Sequence, residues 1–229
     1  MLVEGIVMDD YRLKKELLVH DWPAILVLLA MFAAGVLLYP HLPPQVPTHW
    51  NIAGQVNGYS SRASGAFMPP LIATGVYILM LLLPMIDPRR ENYVKFLGVY
   101  RIFRLGLVLF FAAIYMITLG SAMGFPVRVD RAMPVLVGLL FIIIGNYLPR
   151  VRHNYFVGIR TPWTLASEEV WRKTHRLGGP LFVIAGLLTV VSVFWGGKIA
   201  ALILFTAIIA VVVLLFIYSL VVFKQSRTD

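Results

Sequence analysis

Six apolar runs divide this 229-residue chain, and most come close to the roughly 20 residues that cross a bilayer as a helix. They cover Trp22–Tyr39, Ala66–Ile86, Leu105–Met123, Ala132–Leu148, Leu181–Trp195 and Ile199–Phe223. The fifth is short, and Gly178–Pro180 lengthens it only slightly; the sixth is long enough to tilt. None contains Asp, Glu, Lys, Arg or His, which argues against an ion-coupled transporter. The pattern predicts an all-α integral membrane protein, a six-transmembrane-helix bundle.

Two connectors stand out. The one after the first run, residues 40–65, holds Pro40, Pro43, Pro44 and Pro47, then Gly54, Asn57 and Gly58. These residues set turns and prevent a regular helix, and Asn57-Gly58 suits a tight turn. A connection this long without regular structure is often functional. The other connector, within residues 146–179, is polar and basic: six Lys/Arg (Arg150, Arg152, Arg160, Arg172, Lys173, Arg176) face two acids, Glu168 and Glu169. Ser167 is placed to cap a helix whose first turn carries both acids. The pairs Glu168/Arg172 and Glu169/Lys173 are spaced to bond, and Val170, Trp171, Thr174 and Leu177 share a side. Gly178-Gly179 is expected to stop this interfacial helix and Pro180 to open the next span. A faint echo links Pro88–Tyr93 with Pro149–Tyr155, either a duplicated two-helix unit or a chance likeness of basic loops.

Charge sets the orientation. With both termini inside, the inner segments carry 16 Lys/Arg, among them Arg12, Lys14, Lys15 and Arg227, and the outer ones only Arg62, Arg128, Arg131 and Lys198. That bias predicts N-in/C-in topology in the cytoplasmic membrane. The expected organisation is a cytoplasmic segment over 1–21 and two helices over 22–86 that bracket the outer loop. A third helix with its flanks follows over 87–131. A three-helix unit over 132–223 holds the inner loop 149–179, and a tail covers 224–229. Composition agrees, with 59% hydrophobic residues, 14% charged and a mean hydropathy of +0.82. The net charge of +9 is explained by inner loops, so no direct nucleic-acid partner is expected. The polar first 21 residues do not resemble a cleaved signal, and Met8 is an alternative start. The chain has no cysteine.

Three clusters are candidates for chemistry. His49, Trp50 and Asn51 suit an outer recognition patch, or a loop folded onto helix ends. A metal held by His41 and His49 would lack ligands. Asn154, Arg160, Thr161, Pro162 and Trp163 suit anion or partner binding through Arg160, or a loop sealing the bundle with Arg160 on helix-end carbonyls. Trp171, Arg172, His175 and Arg176 suit a docking surface for a cytoplasmic protein or lipid headgroups, or ordinary basic residues at a membrane surface. No phosphate loop, nucleophile elbow or zinc-protease motif is present, and no cofactor is expected.

The stretches Gly145-Asn146-Tyr147, Asn154–Thr164 and Glu169–Arg176 closely resemble the signature of the SdpI family of bacterial membrane immunity proteins. Pro47-Thr48-His49-Trp50-Asn51, Gly54 and Asn57-Gly58-Tyr59 resemble the extracytoplasmic module that often precedes it. The resemblance implies a non-enzymatic protein that protects a cell from a secreted killing peptide. It also implies, in some members, sequestration of a winged-helix autorepressor at the membrane. It puts His49, Trp50, Asn51, Gly54, Asn57 and Gly58 on the toxin side. It puts Asn146, Asn154, Tyr155, Gly158, Arg160, Thr161, Pro162, Trp163, Glu169, Trp171, Arg172, His175 and Arg176 on the cytoplasmic side. A permease or lipid-handling protein, and a membrane enzyme using the polar inner loop, are the competing classes.

Overall fold

The computed structural model describes residue 11 and residues 15–226, so Met8, Arg12, Lys14 and Arg227 lie outside the described residues. A short helix α1 (Lys15–His20) leads into α2 (Trp22–Leu38). Strands β1 (Gln45–Trp50) and β2 (Val56–Ser61) follow, then α3 (Arg62–Ile86), the single turn α4 (Glu91–Val94) and α5 (Leu97–Ala122). The chain continues through α6 (Val129–Tyr147), α7 (Pro162–Ala166), α8 (Glu168–Ser192) and α9 (Gly197–Gln225). Six of these helices, α2, α3, α5, α6, α8 and α9, are long and apolar enough to cross a membrane. The β-strands mark one end of the bundle, here the hairpin end; the connectors 87–96 and 148–167 mark the other, the basic end.

Two expectations about the connectors are corrected. First, Gly178-Gly179 does not stop a helix: α8 runs unbroken from Glu168 to Ser192, so the interfacial helix and the fifth span are one element. Breaking a helix in an apolar phase strands backbone groups at several kcal/mol each, roughly, whereas Pro180 removes one N–H. The glycines serve contact instead. A Cβ at Gly179 would lie 2.9 Å from the Gly145 carbonyl of α6, and one at Gly138 would lie 2.8 Å from the Gly186 carbonyl. Four glycines, each pair seven residues apart, let α6 and α8 touch along their backbones, a close approach typical of helices packed in membranes.

Second, the connector over 40–65, expected outside, is a β-hairpin rather than an irregular loop. Gln45 pairs with Ser61, Val46 with Ser60, Pro47 with Tyr59, His49 with Gly58 and Trp50 with Val56. The register slips after Pro47, which has no N–H to give to the ladder. The tight turn lies at Asn51–Gln55, not at Asn57-Gly58. Asn51 Oδ1 accepts from the Ala53 and Gln55 amides, both at 3.0 Å, and Gly54 takes φ +76°. Val46 is fully buried, and a Cβ at Gly65 would strike it at 2.6 Å, so the hairpin is seated on the start of α3.

Inside the bundle, α5 repairs α3. Pro70 and Pro84 lack the N–H that would bond the carbonyls of Ala66 and Met80 four residues back. Tyr115 donates to Ala66 O at 2.7 Å and Tyr100 to Met80 O at 2.5 Å. The third helix also begins earlier than its apolar run, at Leu97, and thereby includes Arg101 and Arg104. Arg104 is 1% exposed and pairs with Asp21 at 2.7 Å; Tyr77 donates to the same carboxylate at 3.1 Å. The third span therefore carries charge, so an absence of ionisable residues from the spans no longer speaks against ion coupling, although this pair is neutral as a unit.

Candidate functional site

At the basic end the connector after α6 folds around Asn154, which is wholly buried. Its Nδ2 donates to the carbonyls of Arg152 and Val157, at 2.8 and 2.9 Å. Its Oδ1 accepts from the amides of Phe156 and Val157 and from the Tyr93 hydroxyl. Tyr93 also donates to Asp87 Oδ2 at 3.0 Å, and that carboxylate accepts from the Tyr155 amide at 2.9 Å. Burial and the adjacent Asp87 push the Tyr93 hydroxyl well above its ordinary range, so it stays a donor. Asn92 bonds the His153 carbonyl at 2.8 Å. The two connectors that echo each other in sequence are thus bonded into one node.

The first half of α8 closes this node from beneath. Trp171 donates from Nε1 to Val151 O at 2.9 Å and stacks on His175, with ring centroids 4.0 Å apart. His175 Nε2 accepts from the Ile159 amide at 3.0 Å, and Nδ1 lies 2.9 Å from the Trp171 carbonyl. An acceptor at one nitrogen and a donor at the other define a neutral imidazole protonated on Nδ1. Gly158 sits at φ +118° against this ring, where a Cβ would collide with Nε2. Thr161 and Thr164 form a reciprocal cap on α7 with Pro162 in its first turn, and Thr161 reaches Ser219 of α9 at 3.0 Å. Trp163 packs edge-on against Phe216.

Trp171 and His175 are therefore interior, 2% and 1% exposed, which corrects their expected place on a docking surface. Arg160 gives Nη1 to the Tyr155 carbonyl at 3.0 Å, the loop-sealing role, while its side chain stays at the surface. Asn146 bonds back to Ile142 O of its own helix, and Tyr155 is exposed beneath Arg89. On α8, Arg172, Arg176 and the pair Glu169–Lys173, closed at 2.8 Å, face outward.

The hairpin end is arranged differently. His49 bonds Asn57 across the strands, and Gly58 lies where a Cβ would press on His49 at 2.8 Å. Thr48, His49, Trp50, Asn51 and Ile52 form one wall of a cleft of about 410 Å³ whose other walls are apolar residues of α5, α6 and α9. Asp130 is its one carboxylate, gripped by Arg128 at 3.1 Å through both oxygens. Gly54 of the turn and Gly197 of α9 leave room for that side chain, since a Cβ on either would meet Asp130 within 2.9 Å. Among the described residues no group of His, Asp and Glu could hold a metal, and His49 is committed to Asn57.

Asp21, Asp87, Tyr93, Arg104 and Asp130 were missed from sequence. The available signal was scarcity: with 11 acids in the chain, one at the edge of an apolar run is informative.

Residues 150–222 match the SdpI/YfhL protein family, and residues 26–74, from α2 through the hairpin into α3, match a domain of unknown function, DUF1648. The chain is 25% identical over 191 residues to the immunity protein SdpI of Bacillus subtilis (strain 168), covering 83% of this chain and 89% of that protein. No solved structure matches. The likeness to SdpI thus extends over most of the chain, and with six helices long and apolar enough to span a bilayer the chain is a multi-pass membrane protein.

Proposed function

We propose that this chain is a membrane immunity protein, placed with both termini in the cytosol, that protects its cell from a secreted antimicrobial peptide. The observation that carries the reading is the similarity to SdpI along most of both chains, joined to a cleft that the hairpin builds with three membrane helices. The cleft offers a peptide what association needs: an apolar floor for a large side chain, and a polar wall at Thr48, His49 and Asn51 to orient a backbone. Trp50 is half-buried there and is the natural anchor. The basic end, with Arg172 and Arg176 outward on a helix fixed to the Asn154 node, would hold a cytoplasmic repressor. No catalytic step is assigned to either end.

Expression in a strain sensitive to such a peptide is the test. Cells carrying the chain should survive, and Trp50→Ala together with Ile52→Ala should abolish survival while the protein still accumulates in the membrane. Survival unchanged by those two substitutions would remove the cleft from the proposal. Labelling of a cysteine introduced at position 160 from outside intact cells would overturn the orientation.

A further inference from the structure

A second groove lies at the opposite end of the molecule, about 300 Å³ in volume, between α8 and α9. Phe182 of α8 and Val211, Val212, Leu215 and Phe216 of α9 form its sides, and Gly158–Ile159 of the connector form its floor. Its rim is Arg160 and Thr161. Val212 and Phe216 are 58% and 49% exposed, so the groove opens on the surface that hydrocarbon covers. An apolar slot ending at one cation has the shape of a lipid: tail below, headgroup above.

We infer that this groove binds one anionic phospholipid, its acyl chain between Phe182 and Phe216 and its phosphate on the Arg160 guanidinium. Two features favour an anionic lipid over a zwitterionic one. The guanidinium is preorganised, because Arg160 leaves a connector pinned by Asn154 and His175 and is itself tethered to Tyr155 O. The surrounding surface is also basic: Arg150, Arg152, Arg172 and Arg176 are exposed, and with Lys173 and Glu169 paired to each other, Glu168 is the one acid of residues 146–179 set against them. A free phosphate would use the cation and leave the groove empty, so the apolar walls argue for a lipid. The site is independent of the peptide cleft and does not need the immunity reading.

The test is native mass spectrometry of the full chain in detergent, titrated with phosphatidylglycerol or phosphatidylcholine of identical acyl chains. The wild type should prefer phosphatidylglycerol by about five-fold or more, the worth of one well-placed cation. Arg160→Gln should bring that preference close to unity, whereas Arg172→Gln and Arg176→Gln, also exposed but off the groove, should retain it. Val212→Trp fills the slot from its open side and should weaken both lipids together with no loss of thermal stability. Millimolar inorganic phosphate should displace neither. Equal loss from all three arginine variants would mean a diffuse basic surface and overturn the site. So would unchanged binding in Arg160→Gln, unchanged binding in Val212→Trp, or displacement by phosphate.

Discussion

The two ends of this molecule use polar residues in opposite ways. At the basic end Asn154, His175, Thr161 and Thr164 are buried and bonded to main chain, so most of the family-like signature there holds the fold. At the hairpin end Thr48, His49 and Asn51 are exposed, satisfied within their own hairpin, and border an open cleft. A sequence motif reads the same in both places. Its meaning differs because one set of side chains completes the backbone of an irregular connector, while the other is free to meet something else.

The largest effects should come from the buried polar groups of the basic end. Asp21→Asn leaves Arg104 charged and unpaired in the interior, at about 3–5 kcal/mol. The double variant Asp21→Leu, Arg104→Met should recover much of it, because removing both charges removes the desolvation problem. Asn154→Ala strands several main-chain groups and should cost about 3 kcal/mol. Thermal melts of detergent-purified protein, followed by fluorescence-detected gel filtration, give both values. An Asn154→Ala protein that melts with the wild type would break the contrast between the ends.

A smaller effect should follow pH. His153 is buried against Trp171, and burial, with the Arg89 guanidinium next, lowers its pKa from the ordinary 6.5. The unfolded chain therefore takes up this proton first, and stability falls as pH drops below about 6.5, flattening once the folded-state value is passed. His153→Phe should remove this component of the acid loss. Melts between pH 7.5 and 5 in wild type and variant measure it, and parallel curves would exclude His153 as the source.

Legibility in the sequence tracked the same division. The six spans were readable because apolar length alone decides them. The continuity of α8 was not, because Gly178-Gly179 stops a helix in isolation and becomes a contact surface only when Gly145 of another helix faces it. The hairpin was hidden by Pro47, which argues against a strand unless a register slip accommodates it. Arg104 and Asp21 lie just outside the apolar runs, and nothing in a linear pattern marks them as partners 83 positions apart. Of the two ion pairs that spacing suggested, Glu169–Lys173 forms and Glu168–Arg172 does not. Spacing also could not say that Trp171 and His175, one turn apart, stack facing inward.

Trp50→Ala should cost little stability, roughly 1 kcal/mol or less for a half-buried ring on a hairpin whose seat on α3 is made by Val46. Protection against the peptide should nevertheless be lost. Val46→Ala is the matched control: it removes buried contact beneath the hairpin and should lower the melting point more than Trp50→Ala does. If Trp50→Ala instead melted lower than Val46→Ala, the hairpin end would be a structural seal like the opposite one.

The smallest structural change is expected from Arg172→Ala with Arg176→Ala. Both side chains are exposed, one helical turn apart, on the face of α8 opposite the buried Trp171, Thr174 and His175. Removing them should shift stability by no more than about 0.5 kcal/mol each, since neither completes a buried network. Recruitment of a cytoplasmic partner should fall sharply, because two adjacent guanidinium groups are what this surface offers an acidic patch. A membrane pull-down with and without peptide measures recruitment, and the melt measures the fold. The two readouts separate the roles that the signature combines. Recruitment lost with the melt unchanged assigns the exposed arginines to recognition. Recruitment intact would leave the basic end with no exposed function beyond lipid contact, and the cleft at the hairpin end would then carry the activity alone.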